Sequence, residues 1–280
     1  MDKQRTIKNS AKISGIALHT GARATLKICP AEENSGIIFR RVDLPGAPQV
    51  QALATKVVDV RRGTTIAEGQ CAVYTIEHIM SALHANKIDN CIVEMDGMEP
   101  PILDGSALEY NRMVNDSGII EQDAEAKYFE VKEILHVKKD DTQIVLTPYN
   151  GFRIACTASF AGSPYDPQYH SLEVTAESYD NEIKGARTFV NYADLKQLIS
   201  MNLCKGGSLD AAAIIHEGAI ICKEDLRYKD EIVRHKILDL IGDLYLCGRR
   251  VKANVIAIKP GHPRNVEMAT LMYNLINSNK

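Results

Sequence analysis

The sequence predicts an α+β fold made of two similarly organised halves, and three observations carry that expectation. At 280 residues the chain exceeds one typical domain, which holds about 100 to 150 residues. In each half, β-like runs lead into a helix that is followed by a strand. Between them lies a polar, Ala-rich stretch, residues 122–127, that reads as a connector and divides the chain into 1–124 and 125–280. No repeat of 20 to 50 residues is visible in the sequence, so the likeness is one of element order, two layers facing each other.

The elements follow in chain order. Residues 24–29, 36–42 and 50–60 read as strands between the turn clusters 30–36 and 44–48, which are rich in Pro, Gly, Asn and Ser. From 74 to 85 the apolar spacing becomes helical, with Ile76, Ile79, Met80 and Leu83 on one side and Thr75 as the expected N-cap. Residues 90–95 form the next strand. After the connector, 128–137 and 143–146 resume the β pattern. A long helix over 231–247 ends at Gly248, a residue suited to a left-handed C-cap, and 253–259 is the closing strand.

Composition excludes several classes of function. Hydrophobic residues are 45% and charged ones 25%, a globular balance. Lys and Arg total 33 against 36 Asp and Glu, so the net charge of -3 offers no basic field for nucleic acid or anionic lipid. The seven cysteines are scattered and never paired as CxxC, which fits a reducing cytoplasm better than a disulfide framework or a thiolate zinc knuckle. The N-terminus lacks an apolar signal region, and His216, Glu217 and Gly218 interrupt the most apolar stretch, 211–222. Neither a signal peptide nor a membrane span is expected.

The strongest chemical signal lies in the long helix, where His235, Asp239 and Asp243 recur every four residues among Ile232, Ile237, Leu238, Leu240 and Ile241. Residues four apart share a helix face, so His235 and Asp239 can present a nitrogen and an oxygen to one divalent cation. An isolated HxxxD pair is ordinarily a solvated polar face. Asp243 argues otherwise, because it extends the polar stripe along a helix too apolar elsewhere to lie exposed. For a third ligand, Glu77-His78 on the first helix is the best donor. Adjacent helix residues diverge by about 100°, so His78 can face an ion while Glu77 faces a water beside it. At the end of the last strand, Lys259-Pro260-Gly261 forms a turn expected to leave His262 on a loop. His19, His84, His136, His170 and His216 compete for these roles on spacing alone.

Read together, these blocks resemble a known family. Leu18-His19-Thr20-Gly21, Thr75-Ile76-Glu77-His78, Ile88-Asp89-Asn90, Pro101-Ile102-Leu103-Asp104-Gly105-Ser106, Ala186-Arg187-Thr188-Phe189, Gly206-Gly207-Ser208, Val233-Arg234-His235-Lys236-Ile237-Leu238-Asp239 and Gly261-His262 stand in the order found in UDP-3-O-acyl-N-acetylglucosamine deacetylases, the zinc amidases of lipid A biosynthesis in Gram-negative bacteria. The likeness spans about residues 3 to 265. It implies two α/β-sandwich domains with helices packed between the sheets and an active site at their junction.

The resemblance also implies roles. His78, His235 and Asp239 would bind Zn2+, with water in the open fourth place, and Glu77 would be the base. Thr188 and Lys236 would stabilise the oxyanion, and His262 would assist the leaving amine, either as its proton donor or as an electrostatic partner only. Asp243 would keep His262 cationic. The substrate, a UDP-linked acylated glucosamine, would meet Phe160 and Phe189 with its uracil and Lys236 and Lys259 with its diphosphate, with His19 also in contact. Residues 190–203 occupy the position of the family's acyl-passage insert, although the same pattern suits an amphipathic helix packed on the domain.

Some features depart from the family or leave a choice. Gly63 stands where some members carry Cys, and the 43–57 insert differs enough that no substrate contact is assigned there. His84, six residues after His78, should face away from the metal. Fe(II) suits the same ligands as zinc. A metal-dependent amidohydrolase of another sugar nucleotide would use the same centre. A catalytically silent acyl-sugar binding protein would not need Glu77, Thr188 and His262. A fused dehydratase domain is not expected within 280 residues. The enzyme is expected to act as a cytoplasmic monomer, with at most peripheral membrane contact and no nucleic acid.

Overall fold

The computed structural model describes residues 2–160 and 166–278 and is α+β, with helices packed against sheets. The first large sheet has the order Ala11–Ile16, Arg23–Pro30, Cys91–Met95, Ile37–Arg41, Gln49–Gln51. The second runs Leu135–Lys139, Thr142–Thr147, Arg250–Ile258, Phe152–Ala158, Gln168–Glu173, with Tyr128–Glu130 added in parallel to the start of Arg250–Ile258. The wiring of the five main strands is the same in both. A strand that comes late in the chain takes the centre, antiparallel to the second strand of the opening hairpin and parallel to the strand that follows that hairpin. Parallel neighbours need a long crossover, and each crossover here includes one of the two helices foreseen from the spacing, Glu77–Ala85 or Glu231–Leu244.

All residues of Glu77–Ala85 are buried, as are most of Glu231–Leu244. The two helices pack on each other between the halves. Gly242 makes the close approach possible: a Cβ there would sit 2.2 Å from the Glu77 carbonyl oxygen, a backbone atom held in a helix. Gly242→Ala is therefore expected to cost about 3 kcal/mol through overpacking. A denaturation midpoint within error of wild type would show that the helices can move apart freely. The two apolar cores interlock at this seam. Tyr245, Leu246, Val266 and Ala269 from the second half join the first core, and Ala85 and Ala107 join the second. No helix of the described residues is long and apolar enough to cross a membrane.

Several local expectations need correction. The 122–127 stretch is not a free connector, because Ile119–Glu125 is a strand paired antiparallel with Lys3–Ile7, and Ala126 donates its N–H to the Asp2 carbonyl. Thr75 does not cap the first helix. Its φ of 52° re-aims the side chain, whose hydroxyl donates to Glu99 Oε1 at 3.1 Å, and the helix starts at Glu77. The 50–60 run breaks into two three-residue strands around a 3-10 turn, and the 128–137 run splits into Tyr128–Glu130 and Leu135–Lys139. His262 is the first residue of a helix, His262–Ser278, rather than part of a loop. The expected cap at Gly248 is present, with φ 79°. Residues 190–203 contribute the end of a strand, Thr188–Asn191, and then the helix Tyr192–Ser200.

Candidate metal centre

The packed helices bring His78, His235 and Asp239 together, each offering a ligand atom within 4.8 Å of the others. The imidazole centroids of His78 and His235 are 5.1 Å apart with planes at 85°. Asp239 Oδ1 lies 3.5 Å from His235 Nε2 and 3.9 Å from His78 Nε2. His235 donates through Nδ1 to the Ala186 carbonyl at 3.0 Å, which leaves Nε2 with its lone pair toward the group. The Ala186 carbonyl is held in turn by the neighbouring Arg187, whose buried guanidinium pairs with Glu231 at 2.8 Å, at the start of the helix that carries His235.

Electrostatics keep this set ready for a cation. Burial, followed by the neighbouring His235, pushes the His78 pKa down to about 3, and burial also lowers that of His235. Both imidazoles are neutral at pH 7. Burial alone would raise the Asp239 carboxyl, but Lys236, His235, His262 and His78 outweigh it and hold the group below the ordinary carboxylate range. Lys236 contacts Asp239 Oδ2 at 2.8 Å, on the oxygen other than the one nearest the histidines. Two neutral nitrogens and one anionic oxygen form a donor set that fits a borderline divalent ion such as zinc.

Beside this group lie Glu77 and His262. Glu77 Oε2 accepts the Thr64 N–H at 3.0 Å, and Oε1 is 3.8 Å from His262 Nε2. Burial pushes the Glu77 pKa up to about 7, against the pull of the His262 charge. Burial would lower His262, but Asp243 and Glu77 prevail and raise it to about 9. His262 Nδ1 is 2.8 Å from Asp243 Oδ2, which also accepts from Asn265 Nδ2 at 2.9 Å, while Asp243 Oδ1 accepts the Thr64 hydroxyl at 2.6 Å. Glu77, His262 and the three candidate ligands border a cleft of about 420 Å³ whose lining also includes Leu18, Ile102, Thr188, Phe189 and Lys236. The arrangement offers a group of three candidate metal ligands, a carboxylate near neutrality and a cationic imidazole on one small volume, which suits hydrolysis.

A sequence model of the UDP-3-O-acyl N-acetylglycosamine deacetylase family matches residues 4–274. The chain belongs to this deacetylase family. The UDP-3-O-acyl-N-acetylglucosamine deacetylase of Citrifermentans bemidjiense is 41% identical over 95% of this chain and 88% of its own length. That of Myxococcus xanthus is 41% identical over 94% and 83%. The bifunctional enzyme LpxC/FabZ of Porphyromonas gingivalis is 36% identical, and its match covers 100% of this chain and 66% of that one. Membership makes the protein a hydrolase of the deacetylase class.

Other residues singled out in this deacetylase sequence lie around the centre at varying distance. Phe189 stands edge-on to His235, with centroids 6.0 Å apart, and Phe160 packs edge-on against Phe189 at 4.5 Å. Lys236 Nζ lies 5.2 Å over the Phe189 ring. Lys259 is outside the cleft lining, its ammonium paired with Asp141. His19 lines an adjoining cavity of about 670 Å³ that shares Arg61, Arg62 and Thr75 with the cleft and is walled by Val58, Leu198, Met201 and Leu203. His84 is remote from the metal group: it donates through Nδ1 to the Ile241 carbonyl at 2.8 Å and stacks on Tyr245 at 4.2 Å. Spacing missed Thr64, Asn265 and Glu99. Glu99 is buried and accepts the N–H groups of His19 and Thr20. Asn265 had one usable signal, its place three residues after His262 at the start of a Pro-initiated helix.

Proposed function

We propose that the chain hydrolyses the N-acetyl group of UDP-3-O-((R)-3-hydroxyacyl)-N-acetylglucosamine with a zinc ion, releasing acetate and the free amine in the committed step of lipid A assembly. One observation carries the reading: His78, His235 and Asp239 converge beside Glu77 and His262 in a chain of this family. Zinc held by these three side chains supplies a Lewis acid that polarises an acyl carbonyl and lowers the pKa of water from about 15.7 to about 7.

The protein's own groups do the rest. Ionised Glu77 takes the proton of the attacking water. The Thr188 hydroxyl and the Lys236 ammonium face the charge that builds on the acyl oxygen, a preorganised contact of about 3 to 4 kcal/mol per donor. As the C–N bond breaks, the nitrogen acquires a proton, and cationic His262, held by Asp243, supplies it or offsets the charge of its transfer.

For the substrate, Phe160 and Phe189 are proposed to meet the uracil, and Lys236, Lys259 and His19 the rest of the nucleotide sugar. Lys259 would have to release Asp141, an exposed pair worth about 0 to 1 kcal/mol. The apolar walls of the cavity beside His19 suit an acyl chain, at about 0.8 kcal/mol per buried CH₂. We take the compartment to be a reducing cytoplasm, which the scattered cysteine spacing of the sequence suits, and the active unit to be a monomer. The division at residues 124 and 125 is proposed on the repeated strand order. Metal content and acetate release from the UDP sugar test the whole reading; a zinc-loaded chain that releases no acetate would sink it.

The two perturbed groups give a signed expectation for pH. Activity should rise as Glu77 loses its proton, at or below about 7 since a bound dication favours the anion, and should fall as His262 loses its own near about 9. In a kcat/KM profile, His262→Gln should abolish the alkaline limb. If that limb persists unchanged near pH 9, the group responsible is not His262.

A further inference from the structure

We propose that Thr64 is a positioning residue that holds the base and the His262–Asp243 pair in register; the inference rests on the deacetylase reading above. Thr64 is fully buried, just ahead of the strand Thr65–Glu68, and its N–H and hydroxyl both reach carboxylates of the centre. Its N–H donates to Glu77 Oε2 at 3.0 Å, and its carbonyl accepts the Ile76 N–H at 3.3 Å. Its hydroxyl donates to Asp243 Oδ1 at 2.6 Å and lies 3.4 Å from His262 Nδ1. Glu77 and Asp243 belong to different helices, so one short residue links carboxylates that would otherwise turn independently. With Oδ1 pinned by the hydroxyl, Asp243 keeps Oδ2 on His262 at 2.8 Å. With Oε2 pinned by the amide, Glu77 keeps Oε1 on the His262 side, 3.8 Å from Nε2.

Valine removes the hydroxyl while preserving shape and the backbone N–H, and serine keeps the hydroxyl. In the zinc-loaded enzyme, Thr64→Val is expected to lower kcat about 10- to 100-fold, the usual cost of an outer-shell partner, with KM within about twofold and metal content unchanged. Thr64→Ser should stay within about threefold of wild type. Thr64→Ala carries the expectation of valine if the valine variant fails to accumulate. Wild-type kcat in the valine variant, equal losses in valine and serine, or a loss confined to KM or metal content would each overturn the assignment. The low-field proton resonance of His262 Nδ1 should move in Thr64→Val and not in Thr64→Ser without any substrate. Thus a wild type that released no acetate would count against the functional reading, while the resonance would still test Thr64.

Discussion

Glu77→Ala is expected to keep a full complement of metal and to lose deacetylation by about 10²- to 10⁴-fold, the span that removal of a general base covers. Glu77 is adjacent to the candidate ligand His78 but turned about 100° around the helix, so its loss removes no donor from the metal group. What disappears is a buried carboxylate whose pKa lies near neutrality because burial penalises its charge. That penalty has a second, independent consequence. A carboxyl raised from 4.5 to about 7 binds its proton more tightly in the folded than in the unfolded protein. Its contribution to stability therefore falls as pH rises through this window. At pH 8, the metal-free Glu77→Gln protein should be more stable than wild type, by up to about 3 kcal/mol. Acetate release, metal analysis and denaturation of the same two variants check all three statements. Turnover close to wild type in either variant would remove Glu77 from the role of base.

His235→Ala should abolish activity by a different route, through loss of the metal. The imidazole is buried, neutral and oriented by the Ala186 carbonyl, so truncation leaves a two-donor site and a hole. Metal affinity should fall by more than the about 10- to 100-fold that an outer-shell partner costs, and dialysed protein should come out essentially metal-free. His84→Ala is the control. It also removes a buried helical histidine, but one that stacks on Tyr245 rather than facing the centre. It should lose stability and keep its metal. Retention of stoichiometric metal by His235→Ala would require a different ligand set.

Two members of the candidate metal group were legible because their spacing is local, whereas His78 comes from a different helix. His235 and Asp239 are one helical turn apart, and the apolar residues around them marked the helix as buried. Thr64 and Asn265 were not legible, because their value lies in meeting Asp243 from other elements, and nothing local in Arg61-Arg62-Gly63-Thr64-Thr65 marks a hydroxyl that points at a carboxylate 179 positions away. The same limit explains the connector that proved to be a strand. Ile119–Glu125 is polar because much of it is exposed, and its partner, Lys3–Ile7, lies at the other end of the half. The last helix was missed despite Pro263 in its first turn and the helical spacing of Val266, Met268, Ala269 and Met272, since Gly261 and Pro260 read as a turn.

The amino-acid order alone therefore determined the α+β class, the two site helices and the side chains each could offer to a cation, because helical period and residue chemistry are local properties. Only the tertiary structure decided which of eight histidines share one point. The contact at Gly242, the Ala186 carbonyl on His235 and the Thr64 hydroxyl on Asp243 join positions far apart in the chain, and distance across a packed interface is not encoded in any single stretch of it.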